Sequence, residues 1–264
     1  MKRIFPILLI LGVLLLSVNS WAAEGTVKGQ LVTYDGKPLA DGQIFFFAAN
    51  SELQKPMAGK FWRVPDSVMV LDGKGRFTTQ LEEGVYYLGA IKRNRPNTLG
   101  PPRSGDYYMP SRDKRGKYHQ VKVIANSLTD VGTISGITRY NSKTQQYRGK
   151  RTAIEGKLVT DDGSPVQGLS VFAYLDPSMK GRPQFVSEES GVDGKYLLAV
   201  DTARTFYLKA RGGYSAGTPK AGAMVGVYLD GDMPAPVVTK NGEITKNINI
   251  MIEAFAGTGK QENK

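Results

Sequence analysis

Two stretches of the sequence decide the fold: Val27 to Phe47, VKGQLVTYDGKPLADGQIFFF, and Ile154 to Tyr174, IEGKLVTDDGSPVQGLSVFAY. They align without a gap and share Gly, Leu, Val, Thr, Asp, Gly, Pro and Phe at eight of 21 positions. The 127 residues that separate them match the size of a whole domain and far exceed the period of solenoid repeats. The sequence therefore predicts two copies of one domain.

Each copy has the pattern of β-strands joined by turns. Val27, Gly29 and Leu31 alternate with polar residues at period two, and the turn-forming segment 34–38 follows. The next run, Ile44 to Phe47, is short, apolar and aromatic, which is typical of a strand covered on both faces. We therefore predict an all-β protein with an antiparallel β-sandwich in each half.

Further blocks repeat in the same order along both copies. They pair Gly75-Arg76-Phe77 with Gly194-Lys195-Tyr196, Tyr86-Tyr87-Leu88 with Phe206-Tyr207-Leu208, and Asn126–Ile134 with Asn241–Ile250. Between the blocks lie four segments rich in Gly, Pro and charge, at residues 48–68, 94–120, 176–190 and 212–238. These segments have the composition of insertions on the surface.

The pattern G-x-L-V-T-x-D-G-x-P, followed by an aromatic strand, D-G-K-G-R-F and G-V-Y-Y-L, resembles the carboxypeptidase regulatory-like domain family. The resemblance covers nearly all of the chain after residue 22. It implies two tandem seven-stranded antiparallel transthyretin-like β-sandwiches, in a fold similar to that of starch-binding modules. Members of that family are accessory modules without a catalytic motif, so the resemblance implies no catalytic residue.

The chain divides into five segments by composition. Lys2 and Arg3, the uncharged run Ile4–Val18 and the small residues around Ala22 predict a signal peptide at 1–22, with an uncleaved anchor as the alternative. We predict sandwich one at 24–140, a polar linker at 141–151, sandwich two at 152–255 and a disordered tail at 256–264. The protein is then expected in the periplasm, at the cell surface or secreted.

Composition excludes several kinds of chemistry. The 264 residues include one histidine and no cysteine, which rules out disulfides, thiolate nucleophiles, Cys-ligated metals and a lipidated cysteine. The formal net charge of +11 suits an anionic envelope protein or polysaccharide as partner, whereas an exported chain is not expected to meet nucleic acid. Contact with the membrane after signal cleavage is expected to be peripheral at most.

Acidic turns and the histidine provide weak candidates for metal binding and catalysis. A calcium site would have to use Asp72, Asp193, or Asp230 with Asp232, but the D-G-K segments lack the spaced acidic ligands of an EF-hand. The shared Asp-Gly and Pro positions are explained by turn geometry. A hydrolase would have to be built around His119, which no nucleophile motif accompanies. We predict no enzyme, metal or cofactor.

A basic and aromatic stretch from Lys92 to Lys117 is the first candidate binding surface. Arginine forks match carboxylates or phosphates, and tyrosine offers an apolar face with a polar tip. The candidate ligand-binding residues are Tyr107, Tyr108, Arg112, Arg115 and, just beyond the stretch, Tyr118. The alternative is a solvated loop whose tyrosines pack on the sandwich.

Trp62, in Gly59–Pro65, is the second candidate, since an exposed indole stacks on sugar rings. Core packing is the alternative for this side chain.

Two functional hypotheses follow. The first is a non-enzymatic exported binding or assembly module that acts through protein–protein or cell-envelope contacts, with the basic loop and open sheet edges as surfaces. The second is a carbohydrate-binding protein that uses Trp62 and the loop tyrosines. Binding driven by charge weakens as ionic strength rises, whereas stacking on a neutral sugar does not.

Overall fold

The computed structural model describes residues 23–95, 98, 100–143, 147, 149–213 and 218–257. Over these residues the protein is all-β, without a helix, as predicted. No described helix is therefore long and apolar enough to cross a membrane. The predicted signal peptide, parts of the linker and residues 258–264 of the predicted tail lie outside the described residues.

Two layers of strands form the first half, residues 24–140. Its described strands are β1 (Glu24–Thr33), β2 (Gln43–Ala48), β3 (Ser67–Val70), β4 (Arg76–Glu82), β5 (Gly84–Lys92), β6 (Tyr107–Met109), β7 (Gln120–Val123) and β8 (Leu128–Arg139). They hydrogen bond in the order β3-β2-β5-β6-β8-β1-β4, and β7 also pairs with β5. Apolar side chains of β1 and β4 meet those of β2 and β5 in one core, which includes Val27, Leu31, Phe46 and Phe77.

The second half, residues 152–255, uses shorter strands. They are β9 (Thr152–Val159), β10 (Ser170–Tyr174), β11 (Phe185–Glu189), β12 (Lys195–Val200), β13 (Thr205–Arg211), β14 (Met224–Val227), β15 (Leu229–Asp230), β16 (Met233–Pro234), β17 (Val237–Val238), β18 (Ile244–Thr245), β19 (Ile250–Met251) and β20 (Glu253–Ala254). One sheet runs β11-β10-β13-β14-β20 with β17 on β13, and a second runs β12-β9-β18 with β19 also on β9. β15 and β16 pair with each other in a separate two-stranded sheet.

The pairing pattern of the first half recurs in the second. The order β3-β2-β5 corresponds to β11-β10-β13, and β4-β1-β8 corresponds to β12-β9 with β18 and β19. The repeated sequence blocks thus occupy equivalent places, including the closing segments at Asn126–Ile134 and Asn241–Ile250.

The prediction of purely antiparallel, seven-stranded sandwiches is wrong in two respects. β1 and β8 run parallel, and β9 runs parallel to β18 and β19. Parallel pairing is possible here because about a hundred residues separate these strands, so no tight hairpin constrains their direction. Among the described residues the first half has eight strands. The segments that we assigned to insertions contribute all of β6, half of β3 and one end residue each of β2 and β7.

The segment between β2 and β3, residues 49–66, leaves the first half and packs on the second. We call this segment the strap. Its Leu53 and Phe61, 8% and 4% exposed, belong to the hydrophobic core of the second half together with Phe185 and Phe206. These residues lie in a segment predicted to be an insertion of the first sandwich, whereas the structure makes them part of the other core.

The repeated Thr-x-Asp-Gly sequence builds the same turn in both halves. Thr33 donates its hydroxyl to Asp35 at 2.6 Å, and Thr160 donates to Asp162 in the same way. The glycine that follows each aspartate has a φ near +80°, a conformation that favours glycine. The observed geometry therefore fits the prediction that the shared Asp-Gly residues form turns.

The pKa of Asp35 shows whether the hydrogen bonds of this turn are formed. The hydrogen bond from Thr33, followed by the one from Lys37, lowers the pKa of Asp35 from 3.8 to about 2. Because the pKa is lower in the folded state, this contribution to stability is present above pH 3.8 and is lost as the pH falls through about 2. Thr33→Val is expected to return the pKa of Asp35 towards 3.8, measured by carboxyl NMR titration.

The matched variant Thr160→Val is expected to raise the pKa of Asp162 and to leave Asp35 unchanged. A normal pKa for Asp35 in the parent protein would contradict the hydrogen-bonded turn.

Candidate functional site

The C-terminal end of the strap forms an ionic junction around Asp66. Arg63, 2% exposed, donates from Nη2 to Asp66 Oδ2 at 2.7 Å, and the same oxygen accepts the N–H of Ala48 at 2.8 Å. Arg182, from the second half, donates to the other carboxylate oxygen and to the carbonyl of Val64. Burial lowers the pKa of Arg63, and Asp66 opposes that shift. One carboxylate thus connects both halves.

The N-terminal end of the strap makes a second set of polar contacts with the other half. Gln54 donates its N–H to buried Asp201 at 2.9 Å. Arg204 donates to the carbonyl of Glu52 at 2.8 Å, and its Nε lies 3.6 Å from Asp201 Oδ1. Phe61 lies between these residues and Asp66 in the sequence, and its ring packs in the core of the second half. The strap is therefore held to the second half at both ends and in the middle.

Part of the strap extends a sheet of the second half. Val64 donates its N–H to the carbonyl of Gln184 at 2.8 Å, and Val186 on β11 donates to the carbonyl of Trp62 at 3.4 Å. These bonds cover the edge of β11. They also place Trp62 between two apolar clusters, one on the outer face of β2 and β5 and one on the outer face of β10 and β11.

Trp62 packs against other side chains and is partly buried. Its ring centroid lies 5.9 Å from that of Phe45 and 6.0 Å from that of Tyr108, and the guanidinium carbon of Arg93 lies 6.0 Å from the indole. Tyr108 in turn packs edge-on against Tyr140, and burial raises its pKa well above the usual value. These contacts therefore bury most of the surface of the Trp62 side chain.

A cleft of about 1290 Å³ opens where the outer faces of the two halves meet. We call it the central cleft. Its first wall contains Phe45, Val68, Val70, Ile91 and Lys92, its second wall contains Phe172, Val186, Arg211, Lys220 and Met224, and Trp62 and Val64 lie between the walls. The sequence could not indicate this cleft, because each wall comes from a different copy of the repeat.

A basic hairpin stands apart from the central cleft. Arg112 and Tyr118 pair across its base, and its turn exposes Lys114, Arg115 and Lys117. We call residues 112–118 the basic hairpin. Asp113 accepts the N–H groups of Lys117 and Arg115, which lower its pKa. The one acid of the turn is thus engaged by the backbone, while four cationic side chains are exposed.

Two cations near the basic hairpin lie over the ring of Tyr118. The guanidinium carbon of Arg112 lies 5.7 Å from its centroid, and the Lys55 ammonium lies 5.5 Å from it. Lys55 also lies 5.4 Å from the centroid of Tyr87, which packs on Tyr118 at 4.8 Å. Attraction between cations and ring faces orders these side chains at the surface. Lys55 comes from the strap, so the strap contributes to both surfaces.

The structure separates the predicted site residues into three places. Trp62 and Tyr108 pack together at the junction, whereas Arg112, Arg115 and Tyr118 belong to the basic hairpin. Tyr107 lies elsewhere, with the guanidinium carbon of Arg139 4.7 Å above its ring and with the first core beneath it. The candidate residues of the basic stretch therefore do not lie together on one surface.

The cations of the stretch from Lys92 to Lys117 have two different roles. Arg93 pairs with buried Asp106 at 3.4 Å and donates to two loop carbonyls, and Arg103 pairs with Glu189 of the second half at 3.1 Å. These arginines hold the structure together, while the cations from Arg112 onward face solvent. Sequence reasoning missed Lys55, Asp66 and Arg182, because their roles depend on where the strap crosses.

The residues considered for catalysis and metal binding make local contacts with the backbone. His119 bonds to Ser111 and Leu88 through its backbone, and across the described residues its imidazole has no hydrogen bond to a serine, threonine or carboxylate. Asp72 and Asp193 accept N–H groups of their own turns. The described residues contain no cluster of three or more acids or histidines that could hold a metal ion.

No protein-family model and no curated protein matches the chain. Solved structures with a similar backbone include the major pilin subunit of Bacillus cereus, at 8% identity and a TM-score of 0.27, over 87% of this chain and 99% of that one. The minor pilin of Streptococcus agalactiae is similar at 12% identity and a TM-score of 0.26, over 91% and 100% of the two chains.

A streptococcal ancillary pilin is similar at 14% identity and a TM-score of 0.23, over 88% of this chain and 63% of that one. This chain also spans only 26% and 34% of two of the first structures it matches.

Proposed function

We propose that the chain is a non-enzymatic exported binding or assembly module that holds an acidic envelope partner through the basic hairpin. In this proposal residues 1–22 are a signal peptide, and the body works in the periplasm or outside the cell as two carboxypeptidase regulatory-like sandwiches joined by the strap. Neither a metal nor a cofactor is needed for this function.

The observation that carries the proposal is the arrangement of cations on Tyr118. Lys55 and Arg112 lie over the same ring, and Lys114, Arg115 and Lys117 extend the charge beyond it. Ordered cations bind carboxylates or phosphates at a smaller entropy cost than freely rotating ones. Arginine and tyrosine are also enriched where proteins bind each other. The surface is therefore suited to an acidic protein segment or polysaccharide.

Neutralising the basic hairpin tests this function. We expect the variant Arg112→Ser, Lys114→Ser, Arg115→Ser, Lys117→Ser to bind polyglutamate and polygalacturonate at least about tenfold more weakly at low salt, because charge drives association. Raising the ionic strength from about 0.01 to 1 M shortens the Debye length from roughly 30 to 3 Å and should abolish binding by the parent protein. Isothermal titration calorimetry measures both effects.

The control replaces four exposed lysines elsewhere, Lys143, Lys157, Lys240 and Lys246, by serine, which changes the net charge equally. Equal losses in the two variants would mean that net charge alone explains binding, and would overturn the assignment to the basic hairpin.

Carbohydrate binding through Trp62 is the alternative, supported by the position of this indole in the lining of the central cleft. The same titrations discriminate between the two functions. Binding of neutral dextran that survives high salt and disappears in Trp62→Ala would favour the alternative over the basic hairpin.

A further inference from the structure

The central cleft presents apolar side chains on two facing walls. Val68 and Val70, at the edge of the first sheet, are 46% and 58% exposed, and Phe45 and Ile91 lie beside them. β3 pairs with β2 alone among the described strands, so its outer edge is open to the cleft. Exposed valines on an open edge are a hazard that proteins normally avoid unless the surface has a use.

The facing wall has complementary chemistry. Phe172 and Val186 form an apolar cluster with Trp62, and Met224 continues the lining. The guanidinium carbon of Arg211 lies 5.2 Å from the Phe172 ring. An apolar chain entering the cleft would therefore lose its contact with water on both sides, which is the main source of affinity for such ligands.

Cations outnumber acids in the lining, and the two lysines among them form no ion pair with an acid of the described residues. Lys92 comes from the first half and Lys220 from the second. Of the two acids in the lining, Asp66 is engaged by Arg63 and Arg182, which leaves Asp41. The cleft therefore combines apolar walls with a positive charge contributed by each half.

We infer that the central cleft binds a monomeric long-chain amphipathic anion, with its hydrocarbon chain between the valine and phenylalanine walls and its anionic head at Lys92 and Lys220. Charge complementarity selects this occupant, because a neutral chain would leave both ammonium groups unpaired. This site is separate from the basic hairpin, so either site can fail its test without the other.

The test uses cis-parinaric acid, a fluorescent long-chain carboxylic acid, and its uncharged methyl ester. Trp62 is the one tryptophan beyond residue 22 and lines the cleft, so energy transfer from Trp62 to the probe reports binding at this place. With the chain from Ala23 onward we expect saturable binding of one probe per chain. Lys92→Gln with Lys220→Gln should weaken binding of the acid about tenfold or more and leave binding of the ester unchanged.

A second variant tests the apolar wall. Val68→Glu places a carboxylate on the valine wall and should weaken both probes, whereas Val192→Glu, at a valine that is 77% exposed in the second half, should weaken neither. The side chains of Lys92, Lys220, Val68 and Val192 are all partly or fully exposed. We therefore expect the variants to have thermal unfolding midpoints close to that of the parent protein.

Three results would overturn the inference. They are equal affinity for acid and ester in the parent protein, unchanged acid binding in the double lysine variant, and binding seen only when the probe is embedded in phosphatidylglycerol vesicles.

Discussion

Phe61→Ala is expected to lower the free energy of unfolding by about 3–5 kcal/mol, the usual cost of deleting a buried phenyl ring. Phe61 is 4% exposed, and its ring packs edge-on against Phe185 at 5.8 Å, which packs in turn on Phe206 at the same distance. The alanine would leave a cavity in the core of the second half, although the mutation lies in the first half of the sequence. Urea denaturation followed by circular dichroism measures the loss.

The loss of stability should be concentrated in the second half, although Phe61 belongs to the first half of the sequence. Amide hydrogen exchange should accelerate in β10, β11 and β13, which surround the cavity, more than in β1 and β4. Tyr34→Ala removes an aromatic ring that is 82% exposed and should change the stability by less than about 0.5 kcal/mol. A Phe61→Ala protein as stable as the parent would mean that the strap does not complete the second core.

The sequence predicted the strands because their signals are local. Period-two alternation in β1, the aromatic run in β2 and the Asp-Gly turns each depend on a few neighbouring residues, and each occurs twice. The parallel closing strands could not be predicted in this way, since their direction depends on the path of the chain across the sandwich. The strand spacing predicted a sandwich in each half, and the family resemblance added the expectation of seven antiparallel strands, which the parallel closing strands contradict.

The strap was not predicted because its signal is not local. Leu53 and Phe61 are apolar residues within a polar segment and show no periodicity, so an insertion with a few exposed apolar side chains was the natural interpretation. Their burial depends on a surface that the other copy supplies. The same reason explains why Arg112 and Tyr118 were found from sequence, while Lys55, which reaches them from the strap, was not.

Asp66→Ala is expected to lower the free energy of unfolding by about 3–5 kcal/mol, because it leaves a buried guanidinium without its counterion. Arg63 is 2% exposed, and among the described residues its Nε has no hydrogen-bond partner. Without Asp66, its guanidinium would keep the 3.4 Å contact with the Ala48 carbonyl and the attraction to Asp201. The variant also removes the acceptor of the Ala48 N–H and of Arg182. Urea denaturation followed by Trp62 fluorescence reports on the junction directly.

A double variant separates the buried charge from the loss of contacts. Adding Arg63→Met to Asp66→Ala removes the unpaired cation and replaces it with a flexible apolar chain, so the double variant should recover at least about half of the lost stability. Asp130→Ala breaks the exposed ion pair with Lys28 and the hydrogen bond from the Gly132 N–H, and should lower the stability much less than Asp66→Ala. If the double variant were as unstable as Asp66→Ala alone, the contacts of Asp66 with Ala48 and Arg182, rather than the charge of Arg63, would account for the junction's contribution.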